Sequence, residues 1–174
     1  MKKSTLIVTL IFLLALGFRL FFAFQTPTLD YEAYFNLRQV ENIQETSLPI
    51  FEDMLSQGGR LFQFVPAFHY ILALFGLFMP IIAALKIIPN IFAASITIIN
   101  YFIAKKLTKD EGAAIFCSAL SAFIPIFIVE TIINASIYSI VIPLSFFAIY
   151  FLMDIKEKNN VLYFLIISSI LAII

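Results

Sequence analysis

Two carboxylates stand two positions apart in Thr28-Leu29-Asp30-Tyr31-Glu32-Ala33-Tyr34-Phe35. Carboxylate oxygens placed this way can hold a hard divalent cation, orient a hydroxyl, or take a proton as a general base. The same residues also read as a helix start. Asp30 would be the N-cap of a helix from about Tyr31 to Gln44, with Glu32 in the first turn, where the helix dipole favours negative charge. The two roles are compatible. A second acidic element, Glu130-Thr131-Ile132-Ile133-Asn134, separates two apolar runs. A carboxylate at the edge of such a run is costly unless it is solvated or paired, which marks a functional position. The alternative is a turn residue that reaches the lipid headgroups. Asn134-Ala135-Ser136 matches a glycosylation acceptor but leads straight into an apolar run, so it is not read as one.

The cationic and ring side chains offer fewer specific readings. Arg19, near the far end of the first apolar run, can face a polar cavity and bind phosphate through its planar fork, or snorkel to the headgroups. Lys86 has the same two readings. Arg60 follows Gln57-Gly58-Gly59, a turn by its glycines, and can meet a headgroup or an anionic donor. His69, in Pro66-Ala67-Phe68-His69-Tyr70, reads as an interfacial amphipathic tip ahead of a catalytic base. A single cysteine, Cys117, cannot close an internal disulfide, and no Cys/His cluster has zinc spacing.

The elements that must position these groups are set by composition. The chain has 174 residues, 62% of them hydrophobic and 13% charged, against about 45–50% and about 25% in an ordinary soluble domain. It lacks the polar surface to coat a water-exposed globule. A soluble domain, a disordered tail and a collagen-like rod are excluded together. Eleven basic and eleven acidic residues cancel, so no basic footprint for nucleic acid exists. An integral membrane protein with helical spans remains, because lipid offers no partner to unpaired backbone groups. The expected fold is all-α: a polytopic transmembrane helix bundle occupying residues 1–174.

A span needs about 20 apolar helical residues. Leu6–Phe24 follows Met1-Lys2-Lys3 and reads as an uncleaved first span, since no small-residue cleavage site closes it. Residues 25–60 are polar and hold six of the eleven acidic residues. Leu61–Met79 is apolar but carries Gln63, Pro66 and His69. Ile81–Ala104, Ala113–Val129 and Ala135–Met153 are further spans, and Val161–Ile174 is a last, incomplete run.

Orientation follows from lysines in short loops. Lys2 and Lys3 place the N-terminus in the cytoplasm. Lys105, Lys106 and Lys109 belong on the same side, as do Lys156 and Lys158. That parity requires an odd number of crossings before Lys105. Leu61–Met79 is therefore expected to lie in the outer interface, or to dip partway into the membrane, as part of an outer loop, 25–80, with surface helices; the alternative is that both runs cross and the Lys105–Lys109 turn faces out. In the first arrangement Asp30, Glu32, Glu130 and Asn134 converge on the outer face of a cell-membrane protein.

The order of these motifs resembles a known class. Gly17-Phe18-Arg19-Leu20 is followed by Asp30-Tyr31-Glu32-Ala33-Tyr34-Phe35, then Gly58-Gly59-Arg60, Pro66-Ala67-Phe68-His69-Tyr70 and Ala104-Lys105-Lys106-Leu107-Thr108. This resembles the N-terminal part of GT-C membrane glycosyltransferases, among them the oligosaccharyltransferase catalytic subunit and the protein O-mannosyltransferases. The resemblance implies transfer of a sugar from a polyprenyl-phosphate-linked donor to a protein or lipid acceptor on the extracytoplasmic face, among membrane lipids. It implies Asp30 and Glu32 as catalytic carboxylates, and Arg19, Tyr31, Arg60 and His69 as substrate contacts. A divalent cation, Mg or Mn, would sit on Asp30 and Glu130, with Asn134 standing where a second acidic group is expected. The acceptor-reading C-terminal domain of oligosaccharyltransferases has no counterpart here, and because members of the class normally need many more spans, these 174 residues are expected to be inactive alone. Two other classes fit the composition: the front end of a transporter or flippase, and a non-catalytic membrane scaffold in which Asp30 is only a cap.

Overall fold

The computed structural model describes residues 3–26, 28–55, 59–61 and 64–174, with the backbone alone for Arg60 and Lys158. The regular secondary structure of its described residues is helical apart from a two-residue antiparallel ladder. Two helices are long and apolar enough to cross a membrane, or three if one bent pair counts as a single span.

The first is α1, Lys3–Gln25, about 35 Å long at 1.5 Å per residue. It is apolar all round, so packing and not hydrophobicity defines its inner face. Ser4, Val8, Ala15, Arg19 and Ala23 are buried along one stripe, while Leu6, Leu10, Leu13, Leu14 and Phe21 lie more than half exposed. An apolar surface this continuous fits lipid better than water.

Asp30 then caps α2, Tyr31–Thr46, accepting the Tyr31 backbone N–H at 2.7 Å. Ser47, at φ 64°, ends that helix. A short hairpin follows, with β1, Glu52–Asp53, pairing β2, Arg60–Leu61. It is pinned to α2 by two contacts. Gln39 exchanges two amide hydrogen bonds with the backbone of Ile50 at 2.7 and 3.0 Å, and Arg38 grips Asp53 through both carboxylate oxygens at 2.9 and 3.3 Å. Next is α3, Ala67–Gly76, only ten residues long. At about 15 Å it covers half the hydrocarbon thickness, so among the described residues of 61–79 no helix is long enough to cross a membrane.

The chain then descends through α4, Ile81–Ala94, and α5, Ile96–Thr108. These join at Ser95 into one span of 28 residues, four residues longer than the run read from the sequence. Lys109, at φ 57°, closes α5, and Asp110 caps the next helix by accepting the Gly112 N–H at 2.8 Å. The expected third span, 113–129, is two helices, α6, Glu111–Ser121, and α7, Pro125–Ile132, bent by 46°. The cause is Pro125. Its ring disfavours helical backbone at the preceding residue, and Ile124 is extended at ψ 110°. Because α7 continues to Ile132, Glu130 and Thr131 are helical and the turn lies at 133–137, later than expected. The last two helices are α8, Tyr138–Leu152, and α9, Lys158–Ile173, of 15 and 16 residues. Both fall short of the usual spanning length, whereas residues 135–153 were expected to cross.

Long-range contacts fix the order of the ends. Ser4 donates to Glu111 at 3.4 Å and Lys106 pairs with Asp154 at 2.5 Å. The α1 start, the α5–α6 turn and the α8–α9 turn therefore share one end of the bundle. At the opposite end, Lys86 donates to the Thr26 carbonyl at 2.6 Å and Asn36 to the Ala135 carbonyl at 3.2 Å. There α2 and α3 pack on α4 and α8 through Ala33, Val40, Phe68, Leu72, Leu85 and Ile140.

Small residues let the spans approach closely. Ala114, fully buried, meets Val8, Tyr101 and Ala104 where α1, α5 and α6 converge. Ala114→Leu should lower stability by about 1–3 kcal/mol through overpacking. Phe116→Leu on the exposed face of the same helix should leave it within about 0.5 kcal/mol. Denaturant unfolding in micelles measures both.

Candidate functional site

The site is built on α2. Its buried stripe, Ala33, Asn36, Val40 and Ile43, repeats at helical spacing and packs against α3 and α4. Asn36 is the polar interruption. Its Nδ2 donates to the carbonyl of Ala135 and its Oδ1 lies 2.8 Å from His69 Nε2. One amide thus joins α2, α3 and the α7–α8 turn. A carbonyl can only accept, so Nδ2 must face Ala135, and Oδ1 must receive a proton from His69. The imidazole therefore carries its proton on Nε2. Ala135 itself is held at φ 49°, a left-handed conformation unfavourable to a residue with a Cβ, directly beneath the acidic groups.

Glu32 lies one turn before Asn36 on the same face. Burial pushes its carboxyl above the ordinary value. The Ser136 hydroxyl opposes this by hydrogen bonding to the carboxylate, while the negative charges of Glu130 and Asp30 raise it further. The carboxylates of the first loop and of α7, a hundred residues apart in the chain, are thus close enough to feel one another. Glu32 also lines a cavity of about 360 Å³ together with Phe35, Asn36, Phe64, Phe68 and His69. It is exposed as well as cavity-lining, which puts it at the mouth. A larger cavity, about 680 Å³ between α4–α5 and α8, is walled almost entirely by apolar side chains and offers little for chemistry.

The other residues singled out from the sequence are distributed differently. Asp30 is exposed and engaged as a cap, as the helix-start reading expected. Tyr31, 92% exposed, projects away from the cavity residues. The side chain of Arg60 lies outside the described residues, as do Gln57, Gly58 and Gln63. Glu130 is exposed on α7, and Asn134 is half-buried in the turn. Among the described residues no three His, Cys, Asp or Glu side chains gather closely enough to form a metal site by themselves.

His69 is not an interfacial tip. It is 5% exposed, locked by Asn36 and ringed by Phe35, Phe64 and Phe68 at 5.2–6.3 Å between centroids. Burial holds its imidazole down to about 4. Arg19 does not reach the headgroups either. It is 2% exposed and donates to Asn90 Oδ1 at 3.0 Å and to Thr131 Oγ1, with its guanidinium over the Phe127 ring. Asn90 also donates to the carbonyls of Lys86 and Ile132 at 2.8 and 3.1 Å. Arg19 and Asn90 thereby tie α1, α4 and α7 together one layer below the acidic groups.

Sequence reasoning missed Asn36, Ser136, Asn90 and Thr131. For two of them a signal existed. Asn36 breaks an apolar helical stripe four residues after Glu32, and Asn90 stands one turn after Lys86 inside an apolar run. Compared with known proteins, the sequence matches no family model and no curated protein.

The buried imidazole gives stability a defined pH dependence. Its folded value of about 4 lies below the ordinary 6.5, so the unfolded chain binds the proton more readily. Stability is then full above the ordinary value and is lost as pH falls from there toward the folded value, by about 3 kcal/mol in all. His69→Phe should remove this component. The difference between the two proteins' unfolding free energies across that window measures it.

Proposed function

We propose that this chain is the N-terminal part of a membrane glycosyltransferase resembling the GT-C class, acting on the extracytoplasmic face. The donor is a polyprenyl-phosphate-linked sugar and the acceptor a protein or lipid hydroxyl or amide. The observation that carries this reading is the meeting of Glu32 with Asp30, Glu130 and Ser136 at one end of the helices, opposite the lysine-bearing turns around Lys105, Lys106 and Asp154. In a cell membrane, the positive-inside rule puts those lysines in the cytoplasm. The carboxylates then face the compartment where lipid-linked sugars are consumed.

In this reading Glu32 is the general base. Its proton affinity is raised toward the operating range, which favours proton transfer at neutral pH. The acceptor atom bonds to the anomeric carbon, its proton passes to the carboxylate, and the electron pair of the breaking sugar–oxygen bond leaves with the phosphate. Asp30 orients the acceptor from the start of α2. The exposed oxygens of Asp30 and Glu130 have the chemistry to hold Mg or Mn, which is commonly bound by one or two carboxylates and completed by substrate phosphates. Such a cation would offset the charge developing on the departing phosphate. Arg19 contributes indirectly, by holding α7 and hence Glu130 in place.

The cap at Asp30 also suits a non-catalytic scaffold, and one substitution separates the two. Asn caps a helix about as well as Asp but carries no charge. Asp30→Asn in the full-length protein should therefore leave the unfolding midpoint unchanged and lower sugar transfer by about a hundredfold, the cost of an acceptor no longer held in position. Unchanged transfer would leave Asp30 as a cap alone. Sidedness is tested separately by cysteines placed at Glu32, Lys106 and Glu130 in intact cells. An impermeant thiol reagent should label the first and third and spare Lys106→Cys, and labelling of Lys106→Cys from outside would overturn the shared outer face.

A further inference from the structure

His69 leaves one atom unaccounted for. Its Nε2 is committed to Asn36, but its Nδ1 is buried with no hydrogen-bond partner, and the residue lines the 360 Å³ cavity. A buried polar atom left alone forfeits the hydrogen bond it would make with water. Because Asn36 fixes the proton on Nε2, Nδ1 is a bare lone pair, able only to accept. The other ionisable group on the wall, Glu32, is likewise an acceptor, backed by Asp30 and Glu130. The remaining lining is apolar and largely aromatic: Phe35, Phe64, Val65, Phe68, Ile137 and Ile174.

We propose that the cavity between α2, residues 64–69 and the start of α8 is a binding site for a neutral hydroxyl-bearing ring, whose hydroxyl donates to His69 Nδ1. Each feature of the wall selects for part of that ligand. An anion is repelled by the Glu32 carboxylate on the wall, near which the charges of Asp30 and Glu130 also lie. A ligand without a donor leaves Nδ1 as it is. The flat faces of Phe35 and Phe64 accommodate the C–H face of a saturated ring. The volume matches the lower end of small-molecule sites, about 300–1,000 Å³. Two sources share this chemistry, a sugar and a lipid-derived alcohol. The proposal stands independently of whether sugar transfer occurs at the neighbouring carboxylates.

The test uses the fact that the chain has a single histidine. The full chain in lipid nanodiscs, labelled with ¹⁵N in its imidazole, yields one Nδ1 and one Nε2 resonance. In the unliganded protein the pattern should be that of a neutral ring protonated on Nε2. Methyl β-D-glucopyranoside and cyclohexanol represent the two sources, and cyclohexane and cyclohexanecarboxylate are the controls. A saturable upfield shift of Nδ1 with either hydroxyl probe, and with neither control, is the expected result, and the arm that saturates identifies the source. No saturable shift with either hydroxyl probe, an equal shift with cyclohexane, or preferred binding of the carboxylate would overturn the proposal. His69→Phe should weaken the responding probe about tenfold in saturation-transfer measurements. If that variant does not fold, the nitrogen titration of the unmodified protein still decides.

Discussion

The side-chain amide of Asn36 is the interaction on which the acidic end of this protein depends. It is 5% exposed and uses both of its ends. In so doing it joins two surface helices to a turn that comes ninety-nine residues later. Three properties follow from that single group. The α7–α8 turn is held against α2, which brings Ser136 and Glu130 to Glu32. The imidazole of His69 is fixed in one tautomer. The left-handed Ala135, which would otherwise relax, has its carbonyl captured. Neutral amides can do this where charged groups could not, because both the donor and the acceptor are satisfied without a buried charge to desolvate.

A different solution operates one layer deeper. Arg19 is buried, and among the described residues its partners are an amide oxygen, a hydroxyl and an aromatic face, with no carboxylate in contact. Removing a guanidinium from water is expensive, and neutral acceptors compensate only in part. The negative charges in its neighbourhood lie above it, where Glu130 precedes its partner Thr131 by one residue. The cation thus sits below a cluster of carboxylates and never enters their site. In this arrangement the acidic end keeps a net negative field at its mouth while the bundle retains a polar strut. Lys86 works in parallel, donating to the Thr26 carbonyl where α1 ends and lying over the Phe24 ring.

Much of this organisation was legible in the residues, and the reasons differ by element. The parity of lysine-bearing turns argued against a crossing by residues 61–79, and the helix found there, α3, is ten residues long. Charge placement is a global constraint, so it survives errors in local detail. The capping role of Asp30 was legible because an Asp ahead of an apolar-periodic stretch has a local mechanism. Helix ends inside apolar runs were not legible. Hydropathy cannot see that Pro125 breaks one run into two or that α7 carries Glu130 past the expected turn. The burial of His69 was missed for a related reason. An imidazole among aromatics reads as amphipathic until its partner is known, and that partner, Asn36, lies thirty-three residues earlier on a helix whose apolar stripe it interrupts.

The two halves of the acidic end therefore divide their work by dielectric environment. The carboxylates of Asp30 and Glu130 are solvent-exposed, and Glu32 lines the cavity. On the cavity wall beyond Glu32 formal charge gives way to a neutral acceptor, the imidazole Nδ1, while the amide of Asn36 is already committed at both ends. A ligand entering along this path meets charge where water still screens it and uncharged hydrogen-bond acceptors where it does not. A polar but uncharged group loses least on that journey, since it sheds a modest hydration shell and recovers it from fixed acceptors. An ion would have to shed far more and would find no counter-charge at the end. A filter for neutral ligands would follow from the proposed site, and its walls depend on the one asparagine that joins α2, α3 and the α7–α8 turn.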